Sequence, residues 1–414
     1  MSLAKFQKTL ARGRQESERD PERVLGRELG NRFMAYRRQF EAAESGEGLA
    51  YPLHLDIDLT TVCQLACPMF PAGRGGEMEN KFPGFGLFLD EGLYLEAVRE
   101  AEKLGTPSIR FGLTGEPLLK DDIDLWVLEA SKRGFIDLAL ITNGQLLDQR
   151  LSENLIKAGL TRMMISVDAA SEETYERVRP GGNFDRLVRN IETFLRVREK
   201  LGSKLPLLRL SFVNTKINQA EAKAFKEKFS PLADYLAFQD YLDLMGRADL
   251  RVNPVKRLPK NGGFYCPDPL TRLAIHADGG LFPCCSDFGR LEPLGNLKYA
   301  SLKEVWNSPQ ANKLRGLEGR SSLPCQECLK ASGIEMSQSG QGESLGPYKI
   351  KVTDSGDLAL NQSGPSFGPG LGPGMEPGME PGLEPGFEGP KSLSPQVHGL
   401  SELGERKDLG WYFN

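Results

Sequence analysis

The sequence predicts an α/β protein in which six strand-and-helix units form a barrel or partial barrel. Three observations carry that expectation. From residue 51 onward, apolar runs of strand length alternate with amphipathic stretches of roughly ten residues or more, the mark of βαβ units and a parallel sheet. The segments richest in chemistry all follow a strand, where the functional loops of such sheets lie. Six units suit a ring or part of one better than a flat, doubly wound sheet; the sequence leaves its closure open.

The units can be read in order. "LHLDIDLT" is a strand, followed after a loop by the amphipathic helix "EGLYLEAVREAEKLG", which ends at Gly105. "SIRFGLTG" and the helix "DIDLWVLEASKRG" come next, then "DLALITNG" and "RLSENLIKAG". "RMMISVDA" precedes the helices "SEETYERVR" and "FDRLVRNIETFLRVREKLG". "LLRLSFVN" precedes "QAEAKAFKEKF", and "YLAFQDY" is the sixth strand. The cysteine loop thus follows strand one, "TGEP" ends strand two, "TNG" strand three and "SVD" strand four.

The flanks differ from this core. Residues 1–50 are charged and helix-patterned, with "FMAYRRQFEAA" apolar at helical spacing, and read as one or two helices on the outside of the barrel. Residues 51–246 form the barrel. Residues 247–330 hold five of the seven cysteines, with "HADGGLFPCC" as a hairpin turning at Gly279-Gly280 and "SLKEVWNSPQANKLRG" as a short helix. Residues 331–414 carry the repeat "MEPGMEPGLEPGFEGP" and read as a mostly disordered tail, since Pro and Gly at this density defeat helix and sheet ladders. Within it, "YKIKVTDSGDLAL" offers a hairpin. The tail reads as a solubilising linker or as a tether to a partner.

Composition narrows the function. With 39% hydrophobic and 26% charged residues the chain is an ordinary soluble enzyme by composition. A net charge of −4 gives no reason to expect nucleic acid, because "RLVRN" and "LRVREK" sit among acids as solvated helix faces do. No apolar run approaches ~18 residues, so no membrane span is expected. The N-terminal stretch lacks the apolar core of a secretory signal. An odd number of cysteines in a long chain argues against a disulfide scaffold and for thiols kept reduced in the cytoplasm.

The cysteines suggest metal. Cys325 and Cys328 are spaced to face one centre, and Cys266 with a hairpin cysteine completes four. Cys284 and Cys285 are adjacent, so on a strand they point to opposite faces; Cys284, directly after Pro283, is the expected ligand. Four thiolates fit a structural zinc or a [4Fe–4S] cluster equally well by count. In "TTVCQLACPMFPAGRGG", Cys63 and Cys67 lie four apart, but Phe70 stands where a third thiolate would leave one iron open to a small molecule. Met69 is a poor substitute, since a thioether is uncharged. The pair is therefore either a cluster loop one ligand short or two buried core cysteines.

Taken together these motifs resemble the radical S-adenosylmethionine (radical SAM) superfamily. The C-x3-C-x2-F loop is similar to its C-x3-C-x2-C cluster loop, one cysteine short. "LTGEPLL" resembles its GGEP motif, and "ITNG" and "ISVDAASEETYERVRPGG" its third and fourth strand regions. The segment from Cys266 through "LPCQEC" is similar to the SPASM or shorter twitch domain, which holds an auxiliary cluster. The resemblance covers roughly residues 52–330.

The resemblance implies a partial (β/α)6 TIM-like barrel followed by a small cysteine-rich α+β auxiliary-cluster domain. It implies a [4Fe–4S] cluster that binds SAM, a second auxiliary [4Fe–4S] cluster, and a reductant such as a flavodoxin or ferredoxin. The activity implied is cleavage of SAM to a 5′-deoxyadenosyl radical that abstracts hydrogen from a small molecule or a peptide. By the same resemblance Cys63 and Cys67 are cluster ligands, Gly115 and Glu116 form the SAM-amine motif, Asn143 and Ser166 touch the methionine or ribose, and Arg179 lies near the SAM carboxylate. Glu116 offers acceptors to an ammonium, and Gly115 lets backbone approach closely.

Each piece also has a plain structural reading. "TGEP" is a turn; "TNG" is a strand-ending turn with Asn143 or Gly144 at positive φ; Ser166, Asp168, Ser171 and Thr174 suit a helix N-terminus. Phe70 has three explanations: a substitution in an active parent, a natural degenerate member keeping only the auxiliary centre, or an unseen replacement ligand. The flanking "CPM-PAGR" favours the first. The alternative function is a non-catalytic iron–sulfur or zinc scaffold. Asp240, Asp243 and Asp287 are candidate general bases, with nothing to choose among them. His54, His276 and His398 read as core or surface residues.

Overall fold

In the computed structural model the described residues are 20–44, 47–70, 86–243, 248–252, 266, 268–287, 290–316, 325, 334–338 and 348–352. Cys328, His398 and the repeats of the tail lie outside them.

Six strands follow one another in space as in sequence: β1 (His54–Ile57), β2 (Ser108–Phe111), β3 (Asp137–Thr142), β4 (Arg162–Ser166), β5 (Leu207–Asn214) and β6 (Tyr235–Asp240). All are parallel to their neighbours. The sheet does not close. Beyond β1 it continues with β7 (Arg272–Ile275), parallel to β1, then β8 (Gly280–Phe282) and β9 (Gly295–Asn296), both antiparallel. The hairpin expected at Gly279-Gly280 is therefore present, and Gly279 takes φ 83° to make its turn. It builds onto the sheet's β1 edge.

The crossovers are helical: α2 (Glu91–Leu104), α3 (Ile123–Lys132), α4 (Gln149–Lys157), α5 (Glu172–Val178), α6 (Phe184–Lys200) and α7 (Ala222–Phe229). Asp90, Asp148, Ser171 and Asn183 each accept an amide hydrogen of the first turn they cap. Their apolar faces cover one side of the sheet, where Leu55, Ile57, Ile109, Phe111, Leu140, Ile165, Leu210 and Phe212 are buried. Strand alternation turns the intervening residues to the other, inner face. That face is polar: Asp56 and Asp58, Arg110, Asp137, Arg162, Arg209 and Arg272 alternate with the core residues.

The N-terminal segment α1 (Pro21–Glu44) is two helical pieces joined at Gly30, whose φ of 70° and ψ of −155° lie outside the helical range. Its Leu25, Phe33, Tyr36 and Phe40 pack on Leu53, Ile136, Leu205, Leu207 and Tyr235, all at or before the starts of strands. It thus covers the amino ends of the strands, opposite the functional loops. Glu22 reaches Arg162 of β4 at 3.1 Å.

Two local expectations are corrected. "SLKEVWNSPQANKLRG" forms two helices, α9 (Leu302–Trp306) and α10 (Pro309–Arg315), after the single turn α8 (Asp268–Thr271). Pro309 lacks the amide needed to continue α9, so Ser308 starts a new helix. Of the stretch "YKIKVTDSGDLAL", Tyr348–Val352 form β11, which pairs with β10 (Ile334–Gln338), and residues 353–360 lie outside the described residues. Asp168 does not cap α5; Ser171 does. Among the described residues no helix is long and apolar enough to cross a membrane.

Candidate active site

The carboxyl ends of β1 to β4 surround a pocket that opens to solvent. Cys63, Cys67, Gly115, Glu116, Asn143, Ser166 and Arg179 all line it, so every residue the sequence proposed for the first site is brought to one place. Phe70 lines it too.

The cysteine loop leaves β1 through Thr60 and is held from two sides. The amides of Gly115 and Glu116 donate to the carbonyls of Thr60 and Val62 at 3.0 and 2.8 Å, and the amide of Ala66 donates to Pro180 at 2.9 Å. A β-carbon on Gly115 would lie 2.3 Å from the Thr60 carbonyl oxygen. The close approach expected at Gly115 is therefore to the chain's own cysteine loop. Gly112, at φ 96°, makes the preceding turn, and a β-carbon there would meet the Ile141 carbonyl oxygen at 2.7 Å.

Glu116 is buried and held at both oxygens. Oε1 accepts from the Leu118 amide at 3.1 Å and the Thr142 hydroxyl at 2.5 Å; Oε2 accepts from the Asn143 amide at 2.7 Å. Burial pushes its pKa above the ordinary carboxylate value, and these donors pull it back. Asn143 makes the strand-ending turn, its Oδ1 accepting from the Gln145 amide at 3.0 Å, while Gly144 takes φ 73°. Asn143 Nδ2 lies 3.8 Å from Cys63 Sγ and shares paired amide contacts with Gln64.

Arg179 ends α5 and is buried against Asp168, an aspartate at φ 61°. Its Nε donates to Asp168 Oδ2 at 2.9 Å, its Nη2 donates to the same oxygen, and its Nη1 lies 3.7 Å from Cys67 Sγ. Asp168 Oδ1 accepts from the Val213 amide at 2.6 Å. The sequence missed the partnership of Asp168 with Arg179, eleven residues on. Burial pushes the Cys63 thiol up to about 11 and raises Cys67, with Arg179 acting against the latter shift.

At the second cysteine group, β8 ends at Phe282, so Cys284 and Cys285 lie in the turn beyond it and not on a strand. Their thiols have different neighbours even so. Burial raises Cys284, followed by Cys285, Asp268 and Cys266; Cys285 instead acts on Arg110, raising its pKa. Cys325 is half-buried, and Cys328 lies outside the described residues.

None of the candidate bases lines the pocket among the described residues. Asp240 accepts from Asn214 at 2.9 Å, Asp243 takes a 3.4 Å contact from the Tyr241 hydroxyl, and Asp287 holds the amides of Leu291 and Glu292. His54 bridges Ser108 and Asp56. His276 is buried, and neither ring nitrogen has a hydrogen-bond partner; Nδ1 lies 3.8 Å from Asp58 Oδ2.

Fold and pocket define a partial (β/α)6-type barrel protein with a thiol-bearing pocket at the carboxyl ends of its strands. Residues 57–203 match the family model of the radical SAM superfamily, and residues 266–329 match that of SPASM, an iron–sulfur cluster-binding domain. The chain thus carries a radical SAM domain followed by a SPASM domain.

Among curated proteins it is similar to GTP 3′,8-cyclase of Clostridium botulinum, 38% identical over 106 residues, which are 25% of this chain and 33% of that protein. A probable GTP 3′,8-cyclase of Saccharolobus solfataricus is 32% identical over 173 residues, 42% of this chain and 51% of that one. The chain thus spans between a third and about half of these relatives' length. Among solved structures, Streptococcus suis SuiB bound to precursor peptide SuiA superposes with a TM-score of 0.53 at 17% identity, covering 69% of this chain and 71% of that one. That likeness shows the shared fold.

These domains imply a [4Fe–4S] cluster with SAM at the first site and an auxiliary cluster at the second. Glu116 fits SAM: its Oε2 takes one protein donor and has capacity for another, which an ammonium would supply. The first loop does not fit a cluster held by three thiolates. It presents two thiols and the ring of Phe70, and among the described residues no three Cys, His, Asp or Glu converge as a ligand set.

Proposed function

We propose that this chain has the build of a radical SAM modifying enzyme, one that generates a 5′-deoxyadenosyl radical to abstract hydrogen from a small-molecule or peptide substrate, and that Phe70 disables its cluster loop. The convergence of Cys63, Cys67, Gly115, Glu116, Asn143, Ser166 and Arg179 on one pocket carries this reading. Glu116 would bind the ammonium of SAM, with Asn143, Ser166 and Arg179 along its remaining length. Cys266, Cys284, Cys325 and Cys328 would hold the auxiliary cluster. The relatives named GTP 3′,8-cyclase favour a small molecule over a peptide. The electron would come from a flavodoxin or ferredoxin in the cytoplasm.

A second reading, a non-catalytic iron–sulfur or zinc scaffold, is favoured by the missing third thiolate. Anaerobic reconstitution, iron counting and a deoxyadenosine assay on this chain and on Phe70→Cys separate the two. The enzyme reading expects the cysteine variant to gain iron and to form deoxyadenosine, and this chain to form far less. If neither forms deoxyadenosine, the scaffold reading stands in its place.

A further inference from the structure

The strands of the inner face carry arginines at 110, 162, 209 and 272. Burying a guanidinium is costly unless a carboxylate answers it, and for three of them one does. Arg110 Nη2 lies 2.7 Å from Asp56, Arg162 Nε 2.8 Å from Asp137, and Arg272 lies 3.3 Å from Asp56 and 3.1 Å from Asp268. Arg179, at the pocket wall, is neutralised by Asp168.

Arg209 differs. Its Nε donates to Ser211 Oγ at 3.0 Å, and among the described residues no carboxylate comes within ion-pair distance of its guanidinium. Among the described residues neither Nη group has a protein acceptor, which leaves four N–H donors in a planar fork. Burial lowers its pKa, as do Arg110 and Arg162 nearby, with Tyr235 and Asp168 opposing, and the guanidinium keeps its charge. Its place matters as much as its charge. Ser211 pairs in register with Ser166, which lines the pocket, so Arg209 lies on β5 one inward-facing position below the pocket's level. It is only partly buried, beside β6, the last strand of the sheet.

We propose that Arg209 is an anion anchor on the inner face, receiving the carboxylate or phosphate of a small ligand that occupies the barrel beneath Ser166. The fork geometry of a guanidinium matches the two oxygens of either group, and its shape cannot be copied by lysine. This gives the ligand a class, a small anion. It rests on the fold and needs neither cluster nor SAM, so its failure would leave the radical reading untouched.

The test is calorimetric titration of the full chain with inorganic phosphate and, separately, malonate. Saturable binding of at least one anion is expected, and the tighter of the two distinguishes phosphate from carboxylate. Arg209→Gln is expected to weaken it at least about ten-fold, the loss of one charge-assisted pair. Should that variant fail to fold by circular dichroism, Arg209→Lys decides: binding about ten-fold weaker supports the anchor, since charge remains but the fork is gone. No saturable binding of either anion by the unsubstituted chain, or unchanged affinity in a folded variant, overturns the proposal.

Discussion

Nη1 of Arg179 lies 3.7 Å from Sγ of Cys67 while Nε of the same guanidinium holds Asp168 at 2.9 Å. One side chain thus ties the cysteine loop after β1 to the end of β4, and Asp168 passes the tie to β5 through the Val213 amide. The pocket wall is a relay of charge-assisted contacts across three strands.

Removing the arginine should expose how much that wall depends on it. Arg179→Met leaves Asp168, which is fully buried, without its counter-charge, a loss of about 3–5 kcal/mol. The double variant Asp168→Asn/Arg179→Met should recover a large part of that loss in urea denaturation. Equal stability of the single and double variants would show that the aspartate does not need the arginine.

Gly115 should resist any side chain. A β-carbon there would sit 2.3 Å from one backbone carbonyl oxygen and 2.5 Å from another, and backbone cannot swing aside as a side-chain tip can. Gly115→Ala is expected to cost about 1–3 kcal/mol or more. Gly48→Ala, where nothing lies within 4 Å, should change stability by less than about 0.5 kcal/mol. Similar midpoints for the two variants in denaturant would contradict the close approach.

Asp58 makes stability depend on pH. Burial raises its pKa to about 6, against 3.8 ordinarily, so the folded chain keeps a proton that the unfolded chain releases. The stability this gives is complete below about 4 and is lost as pH rises through 6, roughly 3 kcal/mol for a shift of two units. Asp58→Asn should therefore stabilise the protein at pH 8 relative to wild type, with the difference shrinking toward pH 4. A difference that stays constant across that range would sink the assignment.

His276 should act in the opposite sense. Burial lowers its pKa to about 3, so the unfolded chain takes up a proton below about 6.5 that the folded chain refuses. Stability from this residue falls on acidification, by about 2 kcal/mol at pH 5. His276→Phe, placed against Phe282 at a present ring separation of 4.4 Å, should flatten that slope. Chemical denaturation at pH 5 and 7.5 reads the difference of slopes, independent of any packing change common to both.

By itself the sequence determined the strand order, the parallel pairing, the alternation of core and inner face, and which strand ends carry the pocket. These follow from short-range rules, since side-chain periodicity, capping residues and turn glycines act within a few positions of one another. The seven residues that meet in the pocket came instead from the resemblance of its motifs to a known family. Only the tertiary structure decided that α1 covers the amino ends of the strands, that β7 joins the sheet beside β1, and that β10 pairs with β11. It alone placed Asp168 against Arg179, gave Gly115 the Thr60 carbonyl as its neighbour, and left Arg209, among the described residues, without a carboxylate. Those outcomes depend on which distant surfaces exclude water together and on which buried charges find partners, and no local pattern of residues encodes the distance between two groups separated by a hundred positions.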